Sequence, residues 1–516
     1  MEGIRDPQGK LTEWLSGRRF VWIDVPKTNI EQYIDVSQFK ARLFHKGMVT
    51  EMTCRRCLKK GLEKSRMKDN TIFRLKRKNG NSVSTPQEIL EEVSAFYEKL
   101  YKEDKPDQHV KDLSGNFFSD LEIPQIKESE KTFCDEELKE DEVLAALKLM
   151  KNKSSPGIDG IPTEFYKFFW TKLKPYLLDS YSYSLQSGHL SYSQRRGMIT
   201  LLHKSKGLSR DDLGNWRPIS LTNTDYKILA KALAVRLGKV ISNIVNIDQP
   251  GFLKGRNISS TLREIADIIE YESDQMRNSI VLAIDYQKAF DTVSVNFMLK
   301  TLKRFGFGET FLKWLAILLK DRTGLVKNGG YLSRQFNIER GVRQGCPIAP
   351  LIFLLCAEVL ALNIRQNQAI KAITLPKSDR CLKIKQFADD TTLFLRDLTD
   401  FREALSQIKL FSDISGLQLN TKKCQALVMG PNKIYGKDIM GIKCVDKSKI
   451  LGITFSTKQA PQDIEENWKA KIENLERTFS LWSRRDLSII GKIHIIKTFG
   501  LNFIYIMQSI VYLNIY

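Results

Sequence analysis

Nine residues, Phe387-Ala388-Asp389-Asp390-Thr391-Thr392-Leu393-Phe394-Leu395, set two adjacent carboxylates inside an otherwise apolar stretch. Ile384, Leu393 and Leu395 recur at strand-like spacing around the acids, which predicts a β-hairpin with both carboxylates at or beside its turn. An isolated Asp-Asp more often serves only to satisfy turn backbone. Here the apolar flanks pin the pair to the edge of a buried sheet. Two carboxylates about 4 Å apart repel by roughly 1 kcal/mol in water and about 4 kcal/mol at an effective dielectric of 20. A divalent cation removes that cost, and hard carboxylate oxygens suit Mg²⁺, which takes its remaining ligands from water and substrate phosphates.

A metal site of this kind needs a further acid from elsewhere in the chain. Ser279-Ile280-Val281-Leu282-Ala283-Ile284-Asp285 is an apolar run of buried-strand type that stops at a carboxylate. Val295, Met298, Leu299, Leu302 and Phe305 then recur at helical spacing, so a strand, a loop and an amphipathic helix are expected. Asp285 would stand at the strand's carboxyl end, where a neighbouring hairpin can present Asp389 and Asp390. Capping of the following helix fits Asp291 or Ser294 better, since both lie closer to it.

Along the chain, 11 Lys and Arg stand against three acids between Glu51 and Gly80, which reads as a helical linker or nucleic-acid arm. Asn79-Gly80 predicts a hairpin turn, and Thr85-Pro86-Gln87-Glu88 predicts an N-cap followed by a helix with Ile89, Val93, Phe96, Tyr97 and Leu100 on its core side. The acidic stretch 117–142, broken by Pro124, suggests an exposed connector before a helix near 136–150. A strand is expected at 198–204, a helix at about 225–243, and a buried helix starting near Pro350 in place of a membrane span. Ile464, Trp468, Ile472, Leu475, Phe479 and Trp482 predict a long amphipathic helix, with a second apolar helical stretch after Leu487.

At 516 residues the chain exceeds one core and is expected to form two to four lobes. Its 81 Lys and Arg against 60 Asp and Glu leave a net charge of +21, which points to a polyanionic partner. Of the eight cysteines, Cys54 and Cys57 have the two-residue gap of zinc sites, but no second pair follows nearby. That usage fits a reducing cytosol or nucleus, and the amino terminus lacks the pattern of a secretory signal.

Three segments, Asp285-Tyr286-Gln287-Lys288-Ala289-Phe290-Asp291, Gly341-Val342-Arg343-Gln344-Gly345 through Pro350, and Phe387-Ala388-Asp389-Asp390, resemble the palm motifs of reverse transcriptases, most of all the non-LTR (LINE-type) retrotransposon group. Asn215-Trp216-Arg217-Pro218 through Leu221 and Gln249-Pro250-Gly251 through Arg256 resemble fingers motifs of that group; Gly416 through Cys424 and Ile450 through Ile453 resemble the motifs that close the palm. The seven stand in family order over about residues 145–455.

The resemblance implies an α+β right-hand polymerase: a basic N-terminal extension (1–110), connector and fingers (111–278), a palm with an antiparallel sheet (279–455) and a partial helical thumb (456–516). It implies RNA-directed DNA synthesis from a primer 3′-hydroxyl, with two Mg²⁺ (Mn²⁺ as substitute) held by Asp285, Asp389 and Asp390. Lys204 and Arg217 would offer a point charge and a planar fork to the triphosphate. Gln344 would meet the nucleotide's sugar and base, Tyr286 would lie in the nucleotide site, Phe290 would gate the sugar, and Lys423 would act as proton donor to the pyrophosphate.

Template RNA, a DNA primer or target and deoxynucleoside triphosphates are the expected partners, with no membrane, in the nucleus or a cytoplasmic ribonucleoprotein. Full-length members of the group commonly carry an endonuclease before this region and a Cys/His cluster after it. Neither is visible here, so a fragment or a decayed or partial element is expected. Two other readings stay open: a catalytically inactive nucleic-acid-binding scaffold of the maturase kind, and a DNA-templated polymerase.

Overall fold

In the computed structural model, residues 70–501 are described apart from 78, 104–107, 205–206, 375–380, 431–436, 458–460, 484 and 486. Before them it describes two hairpins of two-residue strands, Ile4–Arg5 with Leu11–Thr12 and Leu15–Ser16 with Arg19–Phe20. The basic segment 51–69, the Cys54/Cys57 pair and residues 502–516 lie outside the described residues.

The elements that matter for the site are, in chain order, α1 (Pro86–Tyr101), β1 (Arg196–His203), β2 (Trp216–Thr222), α2 (Thr224–Val240), α3 (Ile258–Asp274), β3 (Ile280–Ile284), α4 (Val295–Arg304) and β4 (Arg322–Asn328). They continue with α5 (Ala349–Gln366), β5 (Ile384–Phe387), β6 (Asp390–Leu395), α6 (Leu398–Ser415), β7 (Gln425–Val428), β8 (Ile442–Val445) and α7 (Pro461–Ser483).

Two sheets organise the chain. The larger runs β5-β6-β3-β7-β8 and ends on Asp438–Ile439. Its pairs are antiparallel except β7 with β8, where Gln425 lies parallel to Lys443. β3 is its centre, and the two faces of that strand enter different cores. Ile280, Leu282 and Ile284 join the main core with α2, α4, α5 and α6, while Val281 packs with Leu262, Ile265 and Ile269 of α3. Burial on both faces is the reason the strand reads as a continuous apolar run without alternation. α5 is long and apolar enough to cross a membrane, yet it is packed inside the main core.

The second sheet joins β1, β2 and β4 with Tyr331–Leu332 and Phe336–Ile338. β1 pairs antiparallel with β2 and parallel with β4. One face of it is closed by the N-terminal elements: Leu75 and Val83 of a hairpin at 75–83, Ile72 just before it, and Ile89, Val93, Tyr97 and Tyr101 of α1, pack on Ile199, Leu201, Trp216, Val326 and Phe336. Thr85 caps α1 by accepting from the Glu88 N–H, with Pro86 in the first turn, and Phe96 and Leu100 are half-buried at the edge of this core. A division of the chain at residue 110 therefore separates a helix from the sheet whose core it completes.

The expected helix near 136–150 is Glu140–Leu149, the stretch expected as an exposed connector before it carries a helix of its own, Glu128–Asp135, and Ser294 caps α4 by accepting from Phe297 N–H. α7 is held to the end of the larger sheet's core by Asn467, which bonds both the N–H and the C=O of Thr454, and by Trp468. Most of its remaining described surface is solvent-exposed.

Candidate active site

The register of the larger sheet gathers the acids. Ile284, the last residue of β3, pairs with Thr391 of β6, so the next step along each strand is Asp285 on one and Asp390 on the other. Asp390 also pairs with Phe387, which closes the β5–β6 hairpin through Ala388 and Asp389. Ala388 sits at φ +57°, a left-handed conformation that costs a non-glycine residue about 1–2 kcal/mol. The buried Gln249 side chain holds it there. Its Oε1 accepts from Ala388 N–H at 2.9 Å and from Gly251 N–H at 3.0 Å, and its Nε2 donates to the Ala388 carbonyl at 3.3 Å. Gly251 has no room for more, since a Cβ there would lie 2.7 Å from Ala388 N.

Asp285 is tied from the other side. Asn420 donates its backbone N–H to the Asp285 carbonyl and its side-chain Nδ2 to Oδ2, both at 2.8 Å. Lys423 Nζ stands 3.8 Å from the same Oδ2, with its side chain 61% exposed, so the pair is solvent-screened and weak.

Asp389 and Asp390 reach solvent at the hairpin tip, yet protein rings them closely enough to perturb both. Desolvation raises Asp390 to about 6, helped by the charges of Asp389 and Asp285. Asp389 is raised for the same reason, with Asp285 adding to the shift and Arg217 opposing it. Three carboxylates therefore crowd one another, in the situation that an added cation relieves. Among the described residues no three His, Cys, Asp or Glu side chains form a coordination sphere by themselves. Three carboxylates that share one electrostatic patch fit Mg²⁺, which draws its other ligands from water and phosphate.

Basic groups flank the acids from the second sheet. Lys204 follows β1 and donates to the Gly214 carbonyl at 2.9 Å; desolvation lowers its pKa, with Lys423 and Arg217 adding to the fall and Asp285 and Asp291 opposing it. Arg217, on β2 opposite Leu202, is exposed. The structure thus brings Asp285, Asp389, Asp390, Lys423, Lys204 and Arg217 into one electrostatic neighbourhood.

Gln344, Phe290 and Tyr286 sit differently. Gln344 donates through Nε2 to Asp291 Oδ2 at 3.0 Å. Phe290 is half-buried and stacks on Phe353 of α5, with centroids 4.4 Å apart and planes 18° apart. The Tyr286 ring is 7% exposed inside the main core, and its hydroxyl has no hydrogen-bond partner among the described residues, so what borders Asp285 is the Tyr286 backbone, bridged to Leu419. Nearby, Asp291 is 1% exposed, and desolvation raises it to about 6 despite Lys288, Tyr101 and Gln344.

Sequence reasoning passed over Gln249, Asn420, Tyr101 and Asp291 as working parts. Gln249 and Asn420 both lie in segments already singled out, so a polar residue at a fixed place in each was the signal; Tyr101 left none.

The chain is thus a mixed α+β protein whose larger sheet carries a carboxylate-bearing hairpin beside a strand that ends in Asp, flanked by cations. Residues 202–455 match the model of the reverse transcriptase (RNA-dependent DNA polymerase) family, and the chain carries a reverse transcriptase domain of the non-LTR retrotransposon type. It is 30% identical over 406 residues to the transposon TX1 uncharacterized 149 kDa protein of Xenopus laevis, an alignment covering 78% of this chain and 30% of that protein. It is 27% identical over 286 residues to the retrovirus-related Pol polyprotein from type-1 retrotransposable element R2 of Popillia japonica, covering 55% of this chain and 38% of that protein. It is 26% identical over 215 residues to the probable RNA-directed DNA polymerase from transposon BS of Drosophila melanogaster, covering 41% and 24%. The chain thus spans less than two fifths of the length of these relatives.

Proposed function

We propose that this chain copies RNA into DNA by adding deoxynucleotides to a primer 3′-hydroxyl. The larger sheet acts as the palm, the second sheet with its helices as the fingers, and α7 with the helices after it as part of a thumb that grips the primer–template duplex. Asp285, Asp389 and Asp390 hold the divalent cations, Mg²⁺ or in its place Mn²⁺. Bound there, the cations supply positive charge that acidifies the 3′-hydroxyl and offsets charge on the departing pyrophosphate.

The chain's own residues do the rest. Gln249 and Asn420 fix the two strand ends, so the carboxylates need little rearrangement when substrate arrives. Lys204 and Arg217 take the triphosphate, Gln344 and Phe290 border the sugar, and Lys423 gives a proton to the pyrophosphate. Template RNA and a DNA primer or target lie along the basic surface of a chain with net charge +21. The setting is intracellular, in the nucleus or a cytoplasmic ribonucleoprotein.

The observation that carries this reading is the β3–β6 register, which sets Asp285 beside the Asp389-Asp390 turn. Primer extension on RNA and DNA templates tests it. Asp285→Ala or Asp389→Ala is expected to abolish Mg²⁺-dependent extension while fold and RNA binding persist; near-normal extension by either variant removes that residue from the site.

A further inference from the structure

The carboxyl end of α1 reaches across the molecule to the loop that carries Gln344. The Tyr101 carbonyl accepts from the N–H groups of Glu339 and Arg340 at 3.0 and 3.3 Å, and Arg340 Nε donates to the Leu100 carbonyl at 2.8 Å. The Tyr101 ring lies between Tyr97 and Phe336, stacked on both with centroids 6.0 and 6.3 Å away, and is 4% exposed. Its hydroxyl donates to Asp291 Oδ1 at 3.0 Å, while Gln344 Nε2 donates to Oδ2 of the same carboxylate at 3.0 Å. One buried carboxylate is therefore gripped from both sides by groups 243 residues apart in the chain (344 − 101).

The chemistry of that grip fixes an orientation. An ionised carboxylate only accepts hydrogen bonds, so the Gln344 amide must turn its NH₂ toward Asp291 and present its carbonyl oxygen on the other side. Ser220 N–H donates to the Gln344 backbone carbonyl at 2.7 Å and holds the loop to β2. The Asp291 charge is retained by Lys288, whose ammonium is buried over the rings of Phe96 and Tyr97 at 4.8 and 5.2 Å. α1 thus supplies the aromatic bed of the cation, the donor to the carboxylate and the anchor of the loop.

We propose that Tyr101 is a positioning residue for nucleotide addition, acting through Asp291 to hold the Gln344 amide in one orientation toward the incoming nucleotide. The proposal rests on the polymerase reading above. It makes the helix that closes one face of the second sheet part of the nucleotide site, with no contact to substrate.

Steady-state primer extension on an RNA template with wild type, Tyr101→Phe, Gln344→Ala and the double variant tests it, with thermal melts of each protein. Tyr101→Phe keeps the stacked ring and removes one hydrogen bond to a charged group, so the deoxynucleotide KM is expected to rise about tenfold with kcat little changed. The double variant is expected to match Gln344→Ala alone, because a residue that acts through Gln344 has nothing left to lose once the amide is gone. Losses that multiply in the double variant, or a fall in kcat that merely tracks a lowered melting temperature, overturn the proposal and leave Tyr101 structural. Gln344→Glu, at a half-exposed position, serves if Tyr101→Phe folds poorly. It sets a second carboxylate against Asp291 and is expected to raise KM above that of Gln344→Ala; an equal KM overturns the proposal. A wild-type protein that extends no primer overturns the polymerase reading itself and this proposal with it.

Discussion

Replacing Gln249 by Met keeps the volume of a buried side chain and deletes the clamp on the carboxylate hairpin. Three hydrogen bonds go: from Ala388 N–H and Gly251 N–H to Oε1, and from Nε2 to the Ala388 carbonyl. Both N–H groups are buried and neither gains a substitute from a thioether. Each unsatisfied donor costs about 1–3 kcal/mol, so a loss of roughly 2–6 kcal/mol in unfolding free energy is expected. Part of it can be recovered if Ala388 relaxes out of φ +57°, and that relaxation moves Asp389. A displacement of about 1 Å at a reacting group can cost on the order of a hundredfold in rate, which sets the expected fall in kcat. Denaturant unfolding gives the first quantity, and single-turnover extension with saturating deoxynucleotide gives the second. A Gln249→Met protein destabilised as expected yet extending primers at the wild-type rate would show that the turn holds its shape without the clamp.

Phe290→Val removes the ring stacked on Phe353, and the ratio of ribo- to deoxynucleotide catalytic efficiency is expected to rise by about 10–100-fold, since rejection by a rigid ring is a clash that the smaller side chain relieves; an unchanged ratio in an active variant returns Phe290 to a packing role. Burial raises Glu358 to about 7 against the pull of Arg365, so the folded state holds its proton more tightly than the unfolded chain and the associated stability is lost as pH climbs from about 4.5 through about 7. The melting temperature of Glu358→Gln minus that of wild type is therefore expected to increase across that interval, whatever the constant offset from the lost ion pair, and a flat or falling difference refutes it. With a net charge of +21, RNA affinity is expected to fall steeply and linearly on a log–log plot against salt with little dependence on sequence, and deleting residues 51–80 to flatten the slope if that basic stretch contacts the backbone; a salt-independent affinity contradicts it.

The acids were legible in the sequence because each lies in a segment whose structure is decided locally. Ile280 to Ile284 is buried on both faces and so reads as a strand whatever it packs against, and the hairpin around Asp389 carries its own alternation. The parts that hold the acids in place were not legible. Gln249 and Ala388 are 139 residues apart, and Tyr101 and Asp291 are 190 apart; such contacts leave no period in either segment. Tyr286 misled for a related reason. Its place beside Asp285 in the chain says nothing of the side its ring takes, and alternation along the extended backbone turns it into the core. The single parallel pair in the larger sheet was hidden as well, since β7 and β8 are short strands whose relative direction depends on the excursion between them.

The central position of β3 also bears on how the protein is made. Its two neighbours, β6 and β7, both follow it in the chain, so Ile280 to Ile284 leaves the ribosome with both edges bare. The second edge stays uncovered until the chain has grown by 141 residues, from Ile284 to Gln425. At about 5–20 residues per second that is on the order of 7–30 s during which an all-apolar strand can pair with another nascent chain. A polypeptide that stops short of residue 425, whether from a premature stop codon or a broken transcript, keeps that edge for good and would be a substrate for chaperones and proteases before it could be a polymerase.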